Sequence, residues 1–446
     1  MQKGGEKMAQ TKSHRFAGYG VLLAILGIVF MFFYSGLQND QINIIQAFIN
    51  EEGGGWSATL TQLPMTVGNF VCIALTFVYG TFFVKFGVKK PLVIIMIITA
   101  LGTLGIVASN GLNCNGGVAN GSYPLFFISL FIVRCGCMVL QMAGFQLVAS
   151  WFIKARGQMM GIITLGSPLF SIVGTAGLTN VIAKNFNGDY RIFYVGVAII
   201  VAVIAIVVAI FVKNTPEDVG LYPDGASEPP KSEAGEASTL TVKQVLSEGR
   251  AWLLIISFGA FQFIINACMG SMVVRYMSLG GLDVWLSATK WLAMGAAIGI
   301  PMSYIFGLLD DKIGSVKASI ILGLTELIPV IALMVQPEGG SIPAMIVWGF
   351  GVACMTGGVP TMHPSITSYV YGRRDYQAAN RVIMAIQLIP SAFAAMMMVT
   401  LISMGKANLA YGILIAVIIV GLIATFAMLK IRDANLEDRS YGKKQQ

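Results

Sequence analysis

Charge is what this chain has least of: 11% of its 446 residues are Asp, Glu, Lys or Arg, against 56% hydrophobic. That balance excludes an ordinary soluble domain, in which about a quarter of the residues carry charge. Histidine is almost missing, with His14 and His363 alone. The six cysteines, Cys72, Cys114, Cys135, Cys137, Cys268 and Cys354, form neither a disulfide framework nor a zinc spacing. Cys135 and Cys137 would point about 200° apart on a helix, which is no way to share a metal. There is no phosphate-cradling G-x-x-x-x-G-K-[ST] and no H-E-x-x-H. These absences leave no catalytic residue, no metal site and no cofactor to expect, and they argue against an enzyme. The net charge of +8 is spread over short connections and not gathered on one face, so no nucleic-acid partner is expected. Nor does the polar start Met1 to Arg15 lead into a small-residue cleavage site.

What is present is a series of long apolar runs, which implies a lipid bilayer as solvent. A bilayer core needs about 20 apolar residues per helix. Runs of that length fall at about 16 to 37, 60 to 84, 91 to 110, 123 to 150, 158 to 183 and 191 to 212, and then at about 250 to 278, 286 to 309, 317 to 336, 341 to 370, 378 to 403 and 408 to 430. The expected fold class is an all-α membrane protein of twelve transmembrane helices in two six-helix bundles. The divisions expected are a cytoplasmic N-terminal segment 1–15, a first bundle 16–212, a cytoplasmic linker 213–249, a second bundle 250–430 and a cytoplasmic tail 431–446. The linker holds Pro216, Pro223, Pro229 and Pro230 and too little apolar surface for a core, with a short surface helix expected over 239–248. If both termini are cytoplasmic, 23 of the 29 basic residues lie on that side, as the positive-inside rule asks.

The two bundles carry a repeated turn. Gly307-Leu-Leu-Asp-Asp311-Lys312-Ile-Gly314-Ser-Val-Lys317 has a worn copy in Gly80-Thr-Phe-Phe-Val84-Lys85-Phe-Gly87-Val-Lys89-Lys90. This spacing, G-x-x-x-D-[RK]-x-G-x-[RK]-[RK], resembles the loop signature of the major facilitator superfamily, and the resemblance covers the whole chain. It implies secondary transport by alternating access, with the two halves rocking about a central site and Gly80, Lys85, Gly87, Gly307, Asp311, Lys312 and Gly314 acting in gating. Val84 stands where the family acid would be. Three further stretches, Gly54-Gly55-Trp56-Ser57-Ala58-Thr59, Trp151-Phe152-Ile153-Lys154-Ala155-Arg156-Gly157 and Thr215-Pro216-Glu217-Asp218-Val219-Gly220-Leu221-Tyr222-Pro223, resemble the oxalate/formate antiporter family and its monocarboxylate transporter relatives. That implies an organic-anion carrier. The chain departs from those relatives at Ser303, where an arginine is common, and has no lysine between Arg381 and Lys406 or charge from Phe16 to Asn39, which disfavours a small dianion.

Ionisable groups inside a membrane are expensive and point to function. Arg134, near mid-depth of the fourth helix, offers a planar fork that can hold a carboxylate by two hydrogen bonds; its alternative is a structural tie to a neighbouring helix. Gln141 lies two turns on along the same face. Glu326, about ten residues into the ninth helix, is the candidate for proton coupling, or else a neutral acid bonded to Thr325 or to the eighth helix. His363 sits among Pro360, Pro364, Gly357 and Gly358, which are expected to break the tenth helix. In the superfamily, helices 1, 4, 7 and 10 line the cavity, so Tyr34 and Gln38, Gln262 and Asn266, and Trp348 and Thr356 join Arg134, Gln141 and His363 as substrate-binding candidates. Arg275 and Lys290 flank an outer turn where long side chains snorkel to water.

The reading is of a carrier in the plasma (cytoplasmic) membrane for a small organic anion, as proton symporter or anion exchanger. Uncharged or amphipathic solutes are the alternative, and a solute sensor that no longer transports is the alternative from another class.

Overall fold

Lipid offers no partner to backbone N–H and C=O groups, so a chain this apolar satisfies them within helices. In the computed structural model, residues 2–49, 56–109, 121–152, 156–226 and 240–431 are described, without the side chains of residues 2–15, 77, 84, 149, 156–158, 160, 372–374 and 376–378. Eleven helices among the described residues are long and apolar enough to cross a membrane. In order they begin with α1 (Phe16–Ile45), α2 (Ala58–Phe83), α3 (Lys89–Ala108), α4 (Tyr123–Val148), α5 (Gly161–Asn185) and α6 (Arg191–Phe211). The seventh, Gly249–Ile313, is 65 residues long and leaves helical geometry at Gly280 and Gly281, where Gly281 has φ 71° and ψ −157°. That backbone is open to glycine alone, so the helix divides into α7 (249–279) and α8 (282–313) and the spans number twelve. The remainder are α9 (Ser315–Met334), α10 (Ile342–Tyr371), α11 (Ala379–Ser403) and α12 (Ala407–Lys430).

The chain forms two compact units, Met1–Glu233 and Ala234–Gln446. In the first, α4 packs on α2, α3 and α1, and α3 on α6. In the second, α7 and α8 pack mainly on α10 and α11. Aliphatic side chains such as Leu101, Ile199 and Ile423 stand out at 60% or more exposure, a surface suited to acyl chains and not to water.

Two expectations change. The first helix does not stop near 37 but continues to Ile45, because Gln38, Asp40, Gln41 and Asn43 are buried and not part of a loop. Residues Tyr34–Asp40 form a π-helical segment, and a second one, Ser171–Leu178, lies in α5. The tenth helix is unbroken: Pro360 and Pro364 lie inside the continuous helix Ile342–Ser403. Its glycines serve packing instead, since a Cβ on Gly357 would sit 2.5 Å from the Gly299 carbonyl oxygen, so α8 and α10 meet backbone to backbone. The helix expected over 239–248 is present as Val242–Ser247, capped reciprocally by Thr241 and Gln244. Residues 227–239 of the linker lie outside the described residues, as do Gly54, Gly55, Cys114, the side chain of His14 and the tail beyond 431.

Candidate functional site

The first unit brings a polar group together around Arg134. Arg134 is 4% exposed and donates through Nη2 to Asn69 Oδ1. Nη1 rests 3.8 Å from the thioether of Met65, a weak acceptor, and Nε has no partner. Gly68 makes room for this arrangement, because a Cβ there would lie 2.5 Å from Arg134 Cδ. The Tyr34 hydroxyl lies beside Asn39 and Gln141 and within electrostatic reach of Arg134. Met65 also touches Gln41, whose Oε1 accepts from the Tyr194 hydroxyl at 2.9 Å. Arg134, Gln141 and Tyr34 therefore share one neighbourhood; Gln38 is buried four residues on, its Oε1 without a partner. Among the described residues the ion pairs are Arg191–Asp189 and Arg250–Glu248, so Arg134 has no carboxylate partner.

Asn69, Met65 and Gln41 were not singled out from sequence, and neither was Asp40, which is 7% exposed and has Asn43 and Ser171 as side-chain neighbours. A polar run at the end of an apolar helix reads as a loop, and only its burial shows otherwise.

The second unit holds a different polar group. Gln262 Nε2 donates to Asn266 Oδ1 at 3.4 Å, and Asn266 Nδ2 reaches the Ser391 carbonyl on α11 at 3.4 Å. His363 Nε2 meets Gln387 Oε1 at 3.0 Å, and Gln387 Nε2 donates to the Leu254 carbonyl at 2.9 Å, tying α10, α11 and α7. The contribution of α11, through Gln387 and Ser391, had no signal in the sequence. Thr356 is spent on the Val352 carbonyl at 2.7 Å, and Trp348 is fully buried against Tyr276 at 5.2 Å.

Two other ionisable groups stand apart. Glu326 is fully buried at the kink that closes the first segment of α9, and neither carboxyl oxygen has a partner; Thr325, expected to bond it, donates instead to the Leu322 carbonyl. Arg275 does not snorkel: it donates to the carbonyls of Leu333, Met334 and Gln336 and lies over the Tyr411 ring, completing the C-terminal end of α9. Lys290 is exposed.

The repeated turns are held differently. Gly87, at φ 73°, reverses the chain after α2, and the Lys89 backbone N–H donates to Asn214 Oδ1 at 2.9 Å. Asn214 belongs to the segment after α6, where Asp218 accepts from the backbone of Asn214 and Thr215. Trp151 donates to the Lys213 carbonyl at 3.3 Å in the same place. In the second unit Gly314, at φ 87°, makes the reversal, and the acid that ties it down is Asp310, which accepts from Ser315 at 2.6 Å and from Ser365 on α10. Asp311, Lys312 and Lys85 are exposed, Lys85 lying over the Phe86 ring, while Gly80 and Gly307 leave open space beside them. The side chain of Val84 lies outside the described residues.

Comparison with known proteins agrees with this architecture. Residues 20–395 match the Major Facilitator Superfamily, so the chain belongs to that family of multi-pass membrane transporters and is a secondary transporter, not an enzyme. Among solved structures it is similar to the crystal structure of a bacterial homolog of the human lysosomal transporter Spinster, in an inward-facing and unoccupied conformation. The TM-score is 0.61 at 13% identity, over 94% of this chain and 98% of that one, a likeness of fold alone. No curated protein matches the chain.

Proposed function

We propose that the chain carries a small organic anion, a monocarboxylate, across the plasma (cytoplasmic) membrane by alternating access, as proton symporter or anion exchanger, with both termini cytoplasmic. One observation carries this reading: Arg134 is a buried cation with no carboxylate partner, an idle Nε–H and one nitrogen resting on a thioether. A buried charge left so thinly paired is costly, and a bound carboxylate repays the cost by completing the fork. Tyr34, Gln141 and Gln38 are assigned to the acceptor and donor set beside it, and Gln262, Asn266, Thr356 and His363 to polar contacts within the second unit. Gly80, Lys85, Gly87, Gly307, Asp311, Lys312 and Gly314 are assigned to the moving turns.

Among the described residues no cation bonds to the polar group of Gln262, Asn266 and His363, which supports a second reading, in which the solute is uncharged or amphipathic. Proteoliposome uptake of radiolabelled lactate and benzoate by wild type and Arg134→Gln separates the two. Loss of about 10- to 100-fold in the variant, matching a charge-assisted hydrogen bond of about 1.5–3 kcal/mol, supports the anion reading. Equal uptake by both proteins removes it.

A further inference from the structure

Asp40 is a buried acid that the anion reading leaves unused. It closes the π-helical segment Tyr34–Asp40, a geometry that interrupts the regular ladder and recurs at functional sites. Its neighbours are neutral: Asn43 within α1, and Ser171, which opens the second π-helical segment, Ser171–Leu178, in α5. The two segments pack against each other. The charged and titratable groups on the surrounding helices are engaged elsewhere. Arg134 on α4 acts on Tyr34, Tyr194 on α6 donates to Gln41, and Arg191 is bonded to Asp189. Among the described residues no cation lies within 4.0 Å of Asp40.

Two buried amide oxygens in this part of the unit, Gln38 Oε1 and Asn43 Oδ1, lack a donor, and the hydroxyls of Thr175 and Thr179 are buried without a partner of either kind, on the two π-helical segments and the turns that follow them. Each such atom calls for an explanation. An ionised carboxylate only accepts, whereas a protonated one gains an O–H to donate. Beside Asp40, the unpartnered acceptor is Asn43 Oδ1.

We propose that Asp40 binds and releases the coupling proton of the transport cycle, an inference that rests on the transporter reading and deepens it. On uptake, the carboxylate and one proton become the acid, whose O–H donates to Asn43 Oδ1 and whose hold on Ser171 weakens. On release the proton returns to water, and the Asn43 amide and the Ser171 hydroxyl again donate to the carboxylate. The tie between α1 and α5 thus changes with the proton. Glu326 has Cys268 as a titratable neighbour and no hydrogen-bond partner for either carboxyl oxygen.

Infrared difference titration of the full chain in lipid reads this without any solute. Wild type is expected to show a protonated-carboxyl C=O band that fades as pH is raised; Asp40→Asn loses it and Glu326→Gln keeps it. In liposomes, Asp40→Asn is expected to lose about tenfold in lactate or benzoate accumulation driven by a pH gradient while keeping exchange of the same probe. An Asp40→Asn spectrum identical to wild type overturns the proposal, as does accumulation that follows a sodium gradient and ignores pH. If Asp40→Asn does not fold, Asp40→Glu decides, a shifted band supporting the assignment and an unchanged one ending it. A titrating band in a protein that moves neither probe leaves Asp40 as a proton site and removes the monocarboxylate reading instead.

Discussion

Among the described residues each unit of this transporter buries one arginine, and the two are used in opposite ways. Arg275 spends its donors on three carbonyls at the end of α9 and lays its plane on Tyr411. Arg134 has Asn69, a thioether and an unused Nε. Burial alone therefore does not mark a ligand site; what marks one is burial without enough partners. The turns differ in the same spirit. That of the first unit borrows Asn214 and Asp218 from the segment after α6, whereas that of the second is closed by Asp310, Ser315 and Ser365.

The contrast is sharpest in Arg275→Gln. Leaving buried carbonyls without their donor costs about 3 kcal/mol, so the melting temperature should fall by several degrees while uptake per folded molecule is kept. A loss of uptake with unchanged melting would make the two arginines alike. Next in size is Gly68→Ala. Its Cβ, 2.5 Å from Arg134 Cδ, displaces the guanidinium, and carboxylate affinity is expected to weaken about tenfold, or about 1.4 kcal/mol, at nearly constant stability.

The turns come third. Asn214→Ala and Ser315→Ala each remove about 1 kcal/mol of hydrogen bonding, and only Asn214→Ala should loosen the backbone at Lys89 in hydrogen exchange. The smallest effect is electrostatic. Hydrogen bonds from Arg191 hold Asp189, and those from Arg250 hold Glu248, below the usual carboxylate range. A depressed carboxyl adds stability above its unfolded value, near pH 4, and loses it as pH falls through the folded one. Both pairs are partly exposed, so each adds less than about 1 kcal/mol, seen as a shallower acid decline in Asp189→Asn and Glu248→Gln.

Hydropathy and the repeated glycine turns made the twelve helices and the family legible before any coordinates, because run length and a paired motif survive without tertiary knowledge. The polar groups were only partly legible. Arg134 and Gln141 could be placed together, since a charge in an apolar run and an i, i+7 spacing are visible in one dimension; Tyr34 joined the candidates only through the helices that line the cavity in the superfamily. Asp40 could not, because Gln38-Asn39-Asp40-Gln41 reads as the start of a loop until its burial is known. Choosing between the adjacent acids Asp310 and Asp311 also needs the helix register, which turns them about 100° apart. Trp348, taken for a lining residue, packs on Tyr276 in the core, where tryptophan carries the same sequence signal as in a pocket.

The measurement that bears most directly on Arg134 compares benzoate with its neutral isostere benzamide by thermal shift, in wild type and in Arg134→Gln. Wild type should be stabilised more by benzoate than by benzamide, and the variant equally by both. Equal shifts in wild type, or a benzoate preference that survives in Arg134→Gln, would contradict the assignment of Arg134 as the anion's partner.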